Sequence, residues 1–281
     1  EVLGTDPNFV QAIGSENFGL IRRHGARPPF QKNTDPRSIA PALCGWCRIF
    51  LNHYNYYNHS ILLAAANGLR KSPDWMRPAI TAPGKAALTY DGLRRLIGRT
   101  GGALADQGVG RKDCVVMVLP NGPLAATGFL AIASHAIAAP LNPAYGPEEF
   151  EFFLADLNAR LVIVANGESS GVRQAAEKLG IAVAEIVEVK NSPAGVFEFK
   201  DRTSQGQVTP PPALKPDDIA LYLHTSGTTS RPKLVPLSHR NLCLSAANIA
   251  DTLGLCESDH CLNIMPLFHI HGLVAALLAS L

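Results

Sequence analysis

Thr225, Ser226, Gly227, Thr228 and Thr229 stand consecutively, and Lys233 follows after Ser230, Arg231 and Pro232. Four hydroxyls and a glycine in a row suit the binding of an anion. Small side chains let backbone N–H groups approach it closely, and the hydroxyls add further donors. Lys233 contributes a mobile point charge of the kind that meets a phosphate. The spacing is not that of the common P-loop, Gly-x-x-x-x-Gly-Lys-Ser/Thr. On composition alone a flexible Ser/Thr loop accounts for the same residues. A second group follows in PLFHIHG at 266–272, where His269 and His271 lie in a loop after a strand, a position for ligand-binding groups or for two surface histidines. His239 and Arg240 form a basic pair at the start of a helix.

These residues need elements to hold them. Ile219 to His224 alternates and is rich in β-formers, which predicts a strand leading into the hydroxyl run. Leu234 to Leu237 reads as a short second strand. Ser238 is the N-cap of a helix from His239 that turns Leu242, Ala246, Ile249 and Leu253 inward. Cys261 to Met265 reads as a strand, Pro266 to Gly272 as a loop, and Gly272 onward as an apolar helix. Loops that follow strands are where α/β folds carry their ligand groups.

Upstream the chain alternates. A strand around Ala79 and a second in PGKAALTYDGL precede a helix capped by Thr89, with Leu93, Leu96, Ile97 and Leu104 on one face. Gly92 removes the acidic partner of a capping box there. Cys114 to Leu119 is a continuous apolar strand of the doubly covered, parallel type. A helix opens at Pro123 and runs through about His135, then Ala139 to Leu141 is strand-like. Pro147 with Glu148 and Glu149 begins a helix carrying Phe150, Phe153, Leu154 and Leu157 at helical spacing. Leu161 to Val164 and Ile181 to Val189 read as strands around a helix at Gly171 to Leu179. Such alternation predicts an α/β fold of layered, parallel-rich sheets with flanking helices. Asn191 to Asp218, with Pro210-Pro211-Pro212, reads as a connection. Residues 1–59, including QKNTDPRS at 31–38 and NHYNYYNHS at 52–60, show no sustained period and stay unassigned.

Composition narrows the function classes. The 281 residues are 47% hydrophobic and 17% charged, ordinary values for a globular protein. A net charge of +2 gives no electrostatic case for nucleic acid or an anionic membrane. Cys44 and Cys47 form a lone Cys-x-x-Cys without a second pair for zinc, and the Cys256, His260, Cys261 spacing is not a usual ligand set. No metal site is assigned to the protein's own residues. Reduced thiols and no visible secretory signal point to the cytoplasm, with a peroxisomal location also open. Cys114 to Gly146 lacks Asp, Glu, Lys and Arg over a length that could cross a bilayer. Pro120, Pro123, Pro140 and Pro143 cut it into strand, helix and strand, so a buried unit is expected instead.

The stretch TSGTTSRPK at 225–233 resembles the phosphate-binding signature of the adenylate-forming (AMP-binding) superfamily of acyl-CoA synthetases, aryl-CoA ligases, luciferases and peptide-synthetase adenylation domains. PLFHIHG resembles that superfamily's acyl-pocket segment, and HTSGTTSRPK with PLFHIHGL is most similar to the oxalate–CoA ligase branch. The likeness runs from residue 60 to 281. It implies a partial AMP-binding domain over 60–281, with a connection around 191–218, belonging to the N-terminal part of the large domain and lacking the C-terminal lid. It implies ATP with Mg²⁺, and CoA as co-substrate. It places Thr225, Ser226, Gly227, Thr228, Thr229 and Lys233 on the ATP phosphates, Lys233 as the catalytic cation, and His269 at the acyl pocket. His271 is unassigned by the motif, though a carboxylate-bearing substrate could use it, and Phe268 is core or pocket wall.

Family members continue through a Tyr-Gly-x-Thr-Glu segment, a ribose-binding Asp and a lid bearing the adenylation Lys. None stands in these 281 residues, so they are expected not to turn over alone. Ser230 and Leu234 occupy positions where the pattern has Gly. Were the second of these held at positive φ, Leu234 would be strained by about a kilocalorie per mole or more. The lead substrate is oxalate or another small carboxylate. A medium-chain or aryl acid is the enzymatic alternative, and a non-catalytic nucleotide-binding or interaction module is the alternative of another class.

Overall fold

The computed structural model describes residues 20–21, 73–167, 170–200, 214–225 and 232–281. Several expectations fall outside them: the unassigned runs at 31–38 and 52–60, Cys44 and Cys47, Pro210–Pro212, and Ser226 to Arg231.

In chain order the elements are β1 (Leu20–Ile21), β2 (Pro78–Ile80), β3 (Leu88–Thr89), α1 (Tyr90–Ala105), β4 (Cys114–Val118), α2 (Pro123–Ala133), β5 (Ile137–Pro140), α3 (Pro147–Asp156), β6 (Ala159–Ala165), α4 (Ser170–Leu179), β7 (Ala182–Glu188), β8 (Phe197–Phe199), β9 (Ile219–Thr225), β10 (Lys233–Ser238), α5 (His239–Leu253) and β11 (His260–Cys261). The main sheet runs β10-β9-β5-β4-β6-β7-β8. Its five inner strands are parallel, and β10 and β8 close the two edges antiparallel.

The strand sequences explain the layering. Side chains alternate across a strand, so an unbroken apolar run buries both faces. In β4 and just beyond it, Val115, Met117 and Leu119 enter one core with α1, α2 and α5, while Cys114, Val116 and Val118 enter a second core with α3 and α4. The Cys114 thiol is pushed up to about 12 by this burial. No helix among the described residues is long and apolar enough to cross a membrane.

The helix ends follow their sequences. Thr89 Oγ1 accepts from Gly92 N–H at 3.2 Å, and Leu93, Leu96, Ile97 and Leu104 are buried. Gly101 of α1 faces the His135 ring, leaving no room for a β-carbon. Ser238 caps α5 reciprocally: its hydroxyl accepts from Asn241 N–H at 3.2 Å, and its own N–H donates to Asn241 Oδ1 at 3.0 Å.

Four expectations change. The stretch read as a connection contains β8, whose buried Phe197 and Phe199 pair it with β7; three residues are too few to register as a period. The strand expected over Cys261 to Met265 shrinks to β11, because Asn263 Oδ1 accepts from Met265 N–H at 2.9 Å in a local turn. Leu262 and Ile264 are consequently exposed. The helix expected from Gly272 winds as a π-helix over His271–Leu277, then as a 3₁₀ turn over Leu278–Ser280. Finally, Leu234 is not strained. It lies in β10 opposite His224, and positive φ at non-glycine residues occurs only at Asn158 and Asn191 among the described residues.

Candidate active site

The β9–β10 hairpin frames the hydroxyl run. Thr225 ends β9 directly opposite Lys233, which begins β10. Both side chains are exposed, and Lys233 makes no ion pair among the described residues. Ser226, Gly227, Thr228 and Thr229 lie outside the described residues.

Because β9 runs parallel to β5 and β4, Thr225 shares the carboxyl edge of the sheet with the chain leaving those two strands. That is the edge at which open α/β sheets bind ligands. The PLFHIHG segment is fastened to the same edge. Asn121, in the turn after β4, accepts the Leu267 N–H with Oδ1 at 2.9 Å. Leu267 is buried, and Phe268 forms a wall of a small cleft with Met117, Leu119, Pro140 and Leu141. Phe268 is half-buried and belongs to neither of the two cores.

Beyond Phe268 the chain doubles back tightly. His269 N–H donates to Pro266 O at 3.1 Å, Leu273 N–H to His269 O at 3.1 Å, and Asn263 Nδ2 to Gly272 O at 3.4 Å. A β-carbon on residue 272 would run into Pro266 O, so the turn requires glycine. His269 stands exposed with its ring 4.8 Å from that of Phe268, and His271 is half-buried at the first position of the π-helix.

His239 and Arg240 are elsewhere. Ser238 pairs with Ile219, so α5 starts at the opposite edge from Thr225 and Lys233, roughly 17–20 Å away at the rise of a strand. His239 is buried, and loss of solvation pulls it down to about 4 against the opposing pull of Asp218. Arg240 grips Asp217 through Nε at 2.9 Å and Nη2 at 3.2 Å, and this holds the Asp217 carboxyl below its usual range.

Two groups near the edge went unread in the sequence. One is Asn121. The other is His224, whose Nε2 lies 2.8 Å from Asp156 Oδ2 and whose ring meets Phe153 edge-on at 4.7 Å. Only 7% of its side chain is exposed. A histidine one residue before the hydroxyl run, on the strand face that looks toward α3, was the available signal. Asp156, far off in sequence, carried none.

No group of three His, Cys, Asp or Glu among the described residues could hold a metal ion, and Cys114, Cys243, Cys256 and Cys261 are thiols and not disulfides.

A parallel-rich sheet that carries Thr225 and Lys233 at its carboxyl edge, with the Leu267–Phe268 segment fastened beside them, fits the large domain of adenylate-forming enzymes. Residues 69–281 match the AMP-binding enzyme family, and the chain belongs to it. It is 41% identical over 217 residues to an oxalate–CoA ligase of Arabidopsis thaliana, which covers 76% of this chain and 42% of the relative. It is 32% identical over 223 residues to a sulfoacetate–CoA ligase of Cupriavidus necator, covering 78% and 43%. The fold superposes on ATP-bound MatB from Rhodopseudomonas palustris with a TM-score of 0.67 and 25% identity, covering 79% of this chain and 43% of that one. The chain thus spans about two-fifths of the length of the relatives it matches.

Proposed function

We propose that the protein is an AMP-forming acid–CoA ligase whose substrate is oxalate or a similarly small carboxylate bearing a second anionic group. The observation that carries the reading is the hairpin that sets Lys233 opposite Thr225 at the carboxyl edge of the sheet. The named activities of the Arabidopsis and Cupriavidus relatives support it, since oxalate and sulfoacetate both pair a carboxylate with a second anion.

In the first half-reaction a carboxylate oxygen attacks the α-phosphorus of ATP, forming acyl-AMP and releasing pyrophosphate. In the second, the CoA thiol attacks the acyl carbon and AMP leaves. The carboxylate is already a nucleophile, so the protein's task is to neutralise phosphate charge and hold the attack in line. Thr225, Ser226, Gly227, Thr228 and Thr229 hold the phosphates, and Lys233 meets the charge that develops on the departing oxygens. Mg²⁺ enters with ATP as its phosphate complex, offsetting the same charge. His269 and His271 line the carboxylate side, where a second anionic group gains from an imidazole donor.

The test is thioester formation by the whole protein with oxalate, sulfoacetate and 4-coumarate at equal concentration, read by mass spectrometry. Oxalate or sulfoacetate should give the product. A preference for 4-coumarate would overturn the substrate reading, and no thioester from any of the three would overturn the ligase reading.

A further inference from the structure

The loop between β9 and β10 can hold phosphates only if the end of β9 is itself held. The parallel register of β9 against β5 rests on one pair, Ala138 with Leu221, among the described residues. From Tyr222 to Thr225 the ladder partner among the described residues is β10, the edge strand of the sheet. The last residues of β9 therefore need a lateral tie to the body of the domain.

His224 supplies one. Its imidazole lies on the α3 face of the strand, against Phe153, with Nε2 at 2.8 Å from Asp156 Oδ2. Phe153 is buried in the second core and stacks on Tyr145 at 5.0 Å, so the ring beneath His224 is itself fixed. Directly across the ladder, Leu234 packs against the same core. Thr225 and Lys233, the two ends of the loop, are the immediate neighbours of this His224–Leu234 pair. A nearly buried imidazole bonded to a carboxylate on another element is a directional tie, and one that apolar packing cannot replace.

We propose that His224 and Asp156 form a positioning pair that fixes the mouth of the phosphate loop, with His224 acting on ATP only through the geometry of Thr225 and Lys233. This rests on the reading of the loop as an ATP phosphate site.

The test is calorimetric titration of Mg-ATP into the whole protein, with the thermal midpoint of each variant measured alongside. The variants are Lys233→Ala, His224→Phe, His224→Gln, Asp156→Ala and the His224→Phe/Asp156→Ala double. His224→Phe and Asp156→Ala should each weaken ATP binding about tenfold, as expected for loss of one charge-assisted hydrogen bond. His224→Gln, which keeps an N–H donor near the Nε2 position, should stay within about threefold of the parent. The double variant should bind no worse than either single one, because both remove the same tie.

The pair is overturned as a positioning device if His224→Phe binds ATP like the parent, if Gln rescues nothing, or if the two single losses add. It is likewise overturned if the variants lower the thermal midpoint while ATP affinity holds, which is what packing alone would do. Asp156 sits at the exposed end of α3, so its alanine variant keeps the question answerable should His224→Phe not fold. If Lys233→Ala also binds ATP like the parent, the phosphate-site reading falls and takes the pair with it. If only Lys233→Ala loses affinity, the pair alone falls.

Discussion

Replacing His239 by leucine should abolish a specific part of the protein's sensitivity to acid. His239 opens α5 as a buried residue, and its Nε2 has no hydrogen-bond partner among the described residues. Its backbone N–H donates to Asp218 O at 3.0 Å, while the Asp218 carboxylate is engaged by Arg111 at 3.1 Å and by Lys215 N–H at 2.6 Å. A proton on the ring would thus be buried with its nearest carboxylate already committed. The group titrates near 6.5 when unfolded and at about 4 when folded, chiefly because burial disfavours the charged form. The unfolded chain takes the proton first, so this contribution is intact above pH 6.5 and drains away as pH falls toward 4. The whole of it is about 3 kcal/mol, of which about 2 kcal/mol is lost by pH 5. Urea titrations of the parent and His239→Leu at pH 7.5 and pH 5.0 measure it. Stability should differ by less than about 1 kcal/mol at pH 7.5, and at pH 5.0 the variant should have gained about 2 kcal/mol on the parent. Burial also lowers the titration of His135, but that residue is in both proteins and cancels. Parallel losses in the two proteins would refute the reasoning.

Other outcomes follow from the second loop. Asn121→Ala removes the acceptor for Leu267 N–H and should cost about 1 kcal/mol of stability by urea unfolding, while raising KM for the carboxylate several-fold and leaving KM for ATP near that of the parent. Asn121→Asp keeps the acceptor oxygen and should retain most of the carboxylate affinity, as steady-state kinetics would reveal. Gly272→Ala drives a methyl into Pro266 O and should destabilise by about 1–3 kcal/mol in the same urea assay, because backbone atoms must move to admit it.

Most of the fold could be read from the chain because its strongest signals are local. Pro147 with Glu148 and Glu149 opens α3, Thr89 and Ser238 cap α1 and α5, and Cys114–Val118 is buried along its full length. What escaped depends on partners distant in sequence. β8 is a strand because Phe197 and Phe199 find β7, which three residues cannot announce. The helix beginning at His271 has an apolar sequence that fits an α-helix equally well, so its wider winding over His271–Leu277 had no sequence signal. At the site, the two ends of the hydroxyl run were legible because hydroxyls, glycine and lysine cluster within nine positions. The supports were not. Asn121 lies 146 positions from Leu267, and Asp156 lies 68 from His224. Only the topology of the sheet brings them together.

The most direct measurement of the central claim is oxalate-dependent exchange of labelled pyrophosphate into ATP by the whole protein, with the parent and Lys233→Ala compared at saturating ATP. The parent should exchange only when the carboxylate is present, and the variant should fall by at least about 100-fold, the usual loss when a group meeting developing charge is removed. Equal exchange in the two proteins would contradict the account, because the Lys233–Thr225 hairpin would then not be where phosphate charge is met.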